Sequence, residues 1–256
     1  MKRFRPNQGP IAGLILWSLL TAGNAAAQTA GGLTADALLA HLDHNETSTS
    51  AHVVGTITVE DRLGKKVTGF ESWSLGDSKS LVSFTSGEEK GQKILRLKDT
   101  LYVAYPEADK PVKIQGAALK DSVAGSDFSY EDMAGDRSLV SRYTAKILGE
   151  DSVAGDACAV LELRARKPGL AYPMMKVWVS LADFSTRKGE KYSQNERLLK
   201  TEEVLETTKT GGRVVASKIV MTDALKARSK TVFEVTRVEL DIKIDAAKFS
   251  LEELTW

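Results

Sequence analysis

The feature that most restricts what this chain can fold into is a change of hydrophobic period near residue 50. Val53, Gly55, Ile57 and Val59 fall on one side of an extended segment and Thr56, Thr58 and Glu60 on the other, the alternation of a half-buried strand. The same texture recurs between the turn signals Leu63-Gly64-Lys65, Gly76-Asp77-Ser78, Ser86-Gly87-Glu88 and Lys98-Asp99-Thr100. After a break it resumes at about Ser141 and runs through residues 157–163, 175–180, 197–208, 213–222 and 231–244. About ten to twelve strands are predicted by these signals. No two are separated by a helix long enough for a parallel crossover, so the chain reads as mainly β with an antiparallel sheet.

Such a sheet needs a cover on its apolar face. One amphipathic helix is predicted over residues 33–44, with Leu33, Ala37, Leu38 and Leu42 on one stripe and Thr34 as N-cap. The break from Pro106 to about Arg137 is too long for a plain turn; residues 114–123 have helical spacing, and the segment is expected to fold over one mouth or face of the sheet. Short turns at 245–248 and 250–254 complete the supply. This cover is thin for so many strands, so either the sheet curls on itself or apolar surface remains inside as a cavity.

The N-terminus reads Met1, Lys2, Arg3, Phe4, Arg5, then an apolar run over 11–20, then Ala25-Ala26-Ala27. A basic start, a run too short to span a bilayer and a small-residue cleavage site make a signal peptide over residues 1–27, leaving 28–256 as a single domain that is exported to a bacterial periplasm. The new N-terminus would be Gln28, which cannot carry a lipid, and the Ala/Gly/Thr stretch 25–32 reads as a short flexible lead. The 35 Lys and Arg against 34 Asp and Glu leave the chain near neutral, and loss of Lys2, Arg3 and Arg5 keeps it so. That balance argues against nucleic acid as a partner. Cys158, the single cysteine, reads as a small core residue of a strand.

Residues 94–106, Ile-Leu-Arg-Leu-Lys-Asp-Thr-Leu-Tyr-Val-Ala-Tyr-Pro, and the string Gly125-Ser126-Asp127-Phe128-Ser129-Tyr130-Glu131-Asp132 resemble the LolA-like outer-membrane lipoprotein-sorting family. Residues 143–155, 159–163 and 172–179 add to the likeness, which extends over essentially all of the chain after residue 27. Val123-Ala124 departs from it, where a bulkier Met pair is expected. The resemblance implies a strongly curved antiparallel half-barrel, LolA/LolB-like, covered by a few helices around a hydrophobic cavity for acyl chains. It also implies a monomeric, non-enzymatic carrier of lipid or lipoprotein, with an inner-membrane exporter and an outer-membrane acceptor as partners. The alternative is an accessory binding module of an inner-membrane lipid exporter of the RND/MMPL type.

On that reading the candidate cavity and lid residues are Ile57, Val59, Trp73, Leu95, Leu97, Val103, Leu119, Phe128, Tyr130, Val177 and Ile219, although residues of each kind are more often simple core than ligand contacts. Asp127 or Ser129 is expected to cap a short helix, with Asp132 completing a Ser-x-x-Asp box, while Phe128 and Tyr130 anchor the turn. Gly125 would supply an unusual backbone angle. No nucleophile elbow, His-Glu-x-x-His or phosphate-cradling glycine loop occurs, so no catalytic residue, cofactor or metal is assigned. His41, Asp43, His44 and His52 are the one group with metal-ligand flavour, and a solvated histidine pair explains them better. In the last strand the apolar parity switches between Val235 and Val238, which predicts a β-bulge near Thr236-Arg237.

Overall fold

A computed structural model describes Met1 and residues 29–134, 138–226 and 228–254. The expected signal peptide and its cleavage site lie outside the described residues. The chain begins with a two-stranded ribbon, β1 (Thr29–Ala30) and β2 (Leu33–Thr34), followed by helix α1 (Ala35–Glu46). Five antiparallel strands follow: β3 (Ser50–Asp61), β4 (Gly64–Leu75), β5 (Lys79–Phe84), β6 (Lys93–Leu97) and β7 (Thr100–Ala104). The insert contributes β8 (Val112–Ile114), a 3-10 turn at Gly116–Lys120, and helices α2 (Tyr130–Ala134) and α3 (Leu139–Arg142). The second half is β9 (Tyr143–Val153), β10 (Asp156–Ala165), β11 (Met174–Ser180), β12 (Thr186–Tyr192), β13 (Leu198–Thr210), β14 (Arg213–Asp223) and β15 (Lys230–Leu240).

Thirteen strands form one sheet in the order β8-β7-β6-β5-β4-β3-β15-β14-β13-β12-β11-β10-β9, with every pairing antiparallel. Only β15, which returns beside β3, breaks the sequential order. The edges β8 and β9 do not pair, so the sheet is a curved half-barrel and not a closed one. Within the thirteen-stranded sheet, the two strands that period alone misses are β8, too short to show alternation, and β12, which reads Thr-Arg-Lys-Gly-Glu-Lys-Tyr.

The predicted helix is α1. The Thr34 hydroxyl accepts from the Ala37 amide at 3.3 Å as its N-cap. Leu38, Leu39 and Leu42 are buried against Ile147, Leu161, Leu163, Val177 and Val179 of the β9–β11 end. Each such leucine contributes about 1.5–3 kcal/mol by leaving water. The stretch expected as a flexible lead is instead tied down from Thr29 onward, with Ala30 in the same cluster. Cys158 is likewise fully buried, and burial pushes its thiol up.

At the opposite end, Ile57, Phe70, Phe84, Ile94, Val103 and Met221 form a second cluster under Phe128, Tyr130 and Met133 of the insert. The insert therefore covers this half of the concave face as expected, although residues 114–123 do not form an α-helix. Gly116 at φ +60° opens only a short 3-10 turn there. A third cluster sits on the convex face, where Phe249 and Leu254 from the C-terminal turns cover Leu81, Leu95 and Ala104. The predicted bulge is present: Val235 pairs with Gly55 and Arg237 with Val54, leaving Thr236 as the extra residue. Val238 and Leu240 thereby recover the inward side that Phe233 and Val235 occupy.

Candidate functional site

Between the two concave clusters the sheet is not filled. A cavity of about 260 Å³ lies there. Its apolar wall is built by Val53 of β3, Phe70 of β4, Ile219 and Val215 of β14, and Phe233, Val235 and Val238 of β15, with Phe128 and Met133 from the insert and Met175 and Val177 from β11. The lining residues Val53, Val215, Ile219, Phe233, Val235 and Val238 stay half-buried, although Phe128 of the insert reaches Phe233.

The opposite wall is charged. Inward positions of β12 and β13, paired as Lys191 with Lys200 and Gly189 with Glu202, carry no apolar side chain. Lys191 Nζ lies 2.7 Å from Asp132 Oδ1, Lys200 Nζ lies 3.0 Å from Asp132 Oδ2, and Glu202 is 3.4 Å from Lys191. The Tyr172 hydroxyl donates to Asp132 Oδ2 at 2.8 Å and lies 3.0 Å from Ser129 Oγ. Burial on its own raises the Asp132 carboxyl, but the two ammonium groups outweigh it and hold the acid below the usual carboxylate range. Burial lowers Lys191, yet Asp132 and Glu202 together carry it above the usual lysine value. Lys200 shares Asp132 with Lys191, and there burial prevails and lowers it. Burial, followed by the Asp132 charge, raises Tyr172 well above an ordinary phenol. Arg142 pairs with Glu131 at 2.5 Å on the same rim.

The string 125–132 joins these walls. Gly125 adopts φ +68°, the angle expected of it. Ser129 and Asp132 form the predicted box, with the Ser129 amide donating to Asp132 Oδ2 at 2.9 Å and the Asp132 amide to Ser129 Oγ at 3.2 Å. Asp127 does not cap a helix. Its fully buried carboxylate accepts from Ser229 Oγ at 2.7 Å and Thr231 Oγ1 at 2.9 Å, bolting the insert to β15. The Phe128 ring lies 5.6 Å from that of Phe233, and the Tyr130 hydroxyl 3.3 Å from that of Tyr105.

Of the residues singled out in the sequence, Phe128, Val177 and Ile219 line the cavity, as do Glu131 and Asp132 of the string. Ile57, Val59, Val103, Leu119 and Tyr130 face the same side but are packed into the cluster beneath the insert. Trp73, Leu95 and Leu97 belong to the convex face and are corrected accordingly: the alternation puts Ser72, Ile94 and Arg96 inward and their neighbours outward. Trp73 stacks on His52 at 5.3 Å, and His52 sits between Glu71 and Glu239; His41 stacks on Phe184, so the histidines are dispersed. Lys191, Lys200, Glu202, Tyr172 and Arg142 were not singled out. Their trace in the sequence is the loss of apolar alternation at 189, 191, 200 and 202.

A family model described as an uncharacterized protein matches residues 76–256, well over half of the chain. No curated protein sequence matches. Among solved structures, a DUF1329 family protein from Desulfovibrio piger is 21% identical, with a TM-score of 0.79 over 86% of this chain and 97% of that one. A LolA superfamily protein from Nitrosomonas europaea is 24% identical, with a TM-score of 0.74 over 85% and 98%. A domain described as an outer-membrane lipoprotein-sorting protein from Vibrio parahaemolyticus is 17% identical, with a TM-score of 0.77 over 86% and 97%. The chain belongs to the family of uncharacterized proteins matched over residues 76–256, and its fold is that of the LolA superfamily and the outer-membrane lipoprotein-sorting domains.

Proposed function

We propose that residues 28–256 act as one exported domain, a periplasmic carrier that shelters an acyl chain of a lipid or lipoprotein in the concave cavity and moves it toward the outer membrane. The observation that carries this reading is the row of inward-facing apolar residues, Val53, Val215, Ile219, Phe233, Val235 and Val238, left half-buried around an unfilled space. A chain that merely needed a core would bury them. An acyl chain gains about 0.8 kcal/mol per methylene buried, so a modest cavity still binds a hydrocarbon tail appreciably. The charged wall of Lys191, Glu202 and Asp132 gives the site one polar side, which suits an amphiphile whose linkage or headgroup stays near the rim.

Mass spectrometry of organic-solvent extracts tests this on protein purified from a periplasmic fraction. A defined acyl lipid or acylated peptide near one equivalent is expected, together with an intact mass starting at Gln28. Extracts free of acyl species, or protein retained in membranes with Met1 in place, would overturn the reading.

A further inference from the structure

The pairing of β14 with β15 is much shorter than either strand. It covers only Lys218–Met221 against Thr231–Glu234, whereas β14 begins at Arg213 and β15 continues to Leu240. Residues 213–217 and 235–240 therefore flank a seam without ladder bonds between them, on the order of 16 Å long at about 3.3 Å per residue. Irregularities mark both strands next to the point of parting. On one side the bulge at Thr236 bends β15 away. On the other, β13 shifts register at Val204/Glu206 and again at Glu206/Thr207, where Glu206 pairs with Lys218, the last residue of β14 still joined to β15. A bulge increases local bend and twist, so the two strands diverge at one level for reasons built into each.

The seam opens on the cavity. Val215, Ala216 and Ile219 from one side and Val235 and Val238 from the other all line it. The far end of the seam is fastened by the tip of the β13–β14 hairpin. Arg213 Nη1 lies 2.7 Å from Asp241 Oδ2, its Nε donates to the His44 carbonyl at 3.0 Å, and Gly211 lies against Leu240. The Val214 amide donates to Asn45 Oδ1 at 3.1 Å, so the hairpin and the end of α1 are joined.

We propose that this seam is a lateral portal through which an acyl chain enters and leaves the cavity, with the β13–β14 hairpin as its hinged wall and Arg213 as its latch. The proposal rests on the carrier reading and adds the route. The bend at residues 204–207 is the hinge, and parting Arg213 from Asp241 widens the seam while leaving the insert, bolted by Asp127, in place. An acyl chain then slides in sideways past Val215 and Val238, and the two half-buried edges close over it.

A disulfide tests this. A Cβ on Gly211 would lie 3.4 Å from the Leu240 Cβ, close to the about 3.5–4.5 Å that a disulfide spans. In a Cys158→Ser background, Gly211→Cys with Leu240→Cys should, when oxidised, take up a fluorescent fatty acid at least ten-fold more slowly than the parent. Dithiothreitol should restore the rate, and either single cysteine variant should respond to neither treatment. Uptake by the crosslinked protein at the parental rate would overturn the portal. Gly211 sits at φ +56°, a poor angle for cysteine, so Arg213→Gln provides a second arm. It should release the probe several-fold faster, and an unchanged release rate would count against the latch. A parent that does not bind the probe at all would overturn the carrier reading itself, and the portal with it.

Discussion

Asp132 occupies the position on which most of the site converges: it closes the turn of the string, accepts the Tyr172 hydroxyl and balances Lys191 and Lys200. Removing one partner of a buried ion pair strands the others, so Asp132→Asn is expected to cost about 3–5 kcal/mol in denaturant melts at neutral pH. Its pH dependence has a definite sign. The folded-state acid is depressed, so its contribution is complete above the ordinary carboxylate pKa and fades only as pH falls toward the lower folded value. The gap between parent and variant melts should therefore begin to close at about pH 4 and narrow progressively as pH falls further. A constant gap throughout that range would contradict the account. Asp127 is a bolt and not a cap, and its loss strands two buried hydroxyls. Asp127→Ala is accordingly expected to cost about 3 kcal/mol or more, beyond the about 0.5–2 kcal/mol of a lost helix cap. The type of residue in the string was readable; its partner at 229–231, about a hundred positions away, was not.

At the scale of elements, α1, the insert and the bulge in β15 were legible because each is a break in a pattern: a change of period, an overlong connection, a switch of parity. Strand β12 was not, since Arg187, Lys188, Glu190 and Lys191 show charge at both parities, and the inward Lys191 is tolerated because Asp132 and Glu202 pair with it. Strand β6 misled for the opposite reason. Ile94, Leu95 and Leu97 are apolar on both sides, and the face of each is decided by Phe249 and Leu254 arriving from the far end of the chain. This gives a paired test of the two faces. Ile219→Glu places a carboxylate in the apolar wall and should abolish copurifying lipid, whereas Leu97→Glu, on the convex side, should leave lipid content at the parental level. Equal lipid in both variants would indicate adhesion to the outside. Phe128→Ala should act on both properties, losing about 3–5 kcal/mol in a denaturant melt and lowering lipid content, because its buried ring packs near Phe233 and also lines the cavity.

For the whole molecule, the half-barrel is packed firmly at its two ends and left unfilled in the middle. One end is held by α1, the other by the insert, and the gap between them includes β14 and β15, whose ladder covers only part of either strand. The thin cover seen in the sequence is thus the cause of the cavity. Where along the sheet that cavity would fall depended on contacts that no period encodes. The claim that this space holds the acyl chain is tested most directly by photolabelling with a diazirine-bearing fatty acid and mapping the adducts by peptide mass spectrometry. The account predicts adducts confined to the concave wall, at 215–219, 233–238 and 128–133. Adducts on Trp73, Leu97 and Tyr102 of the convex face, or scattered without preference, would contradict it.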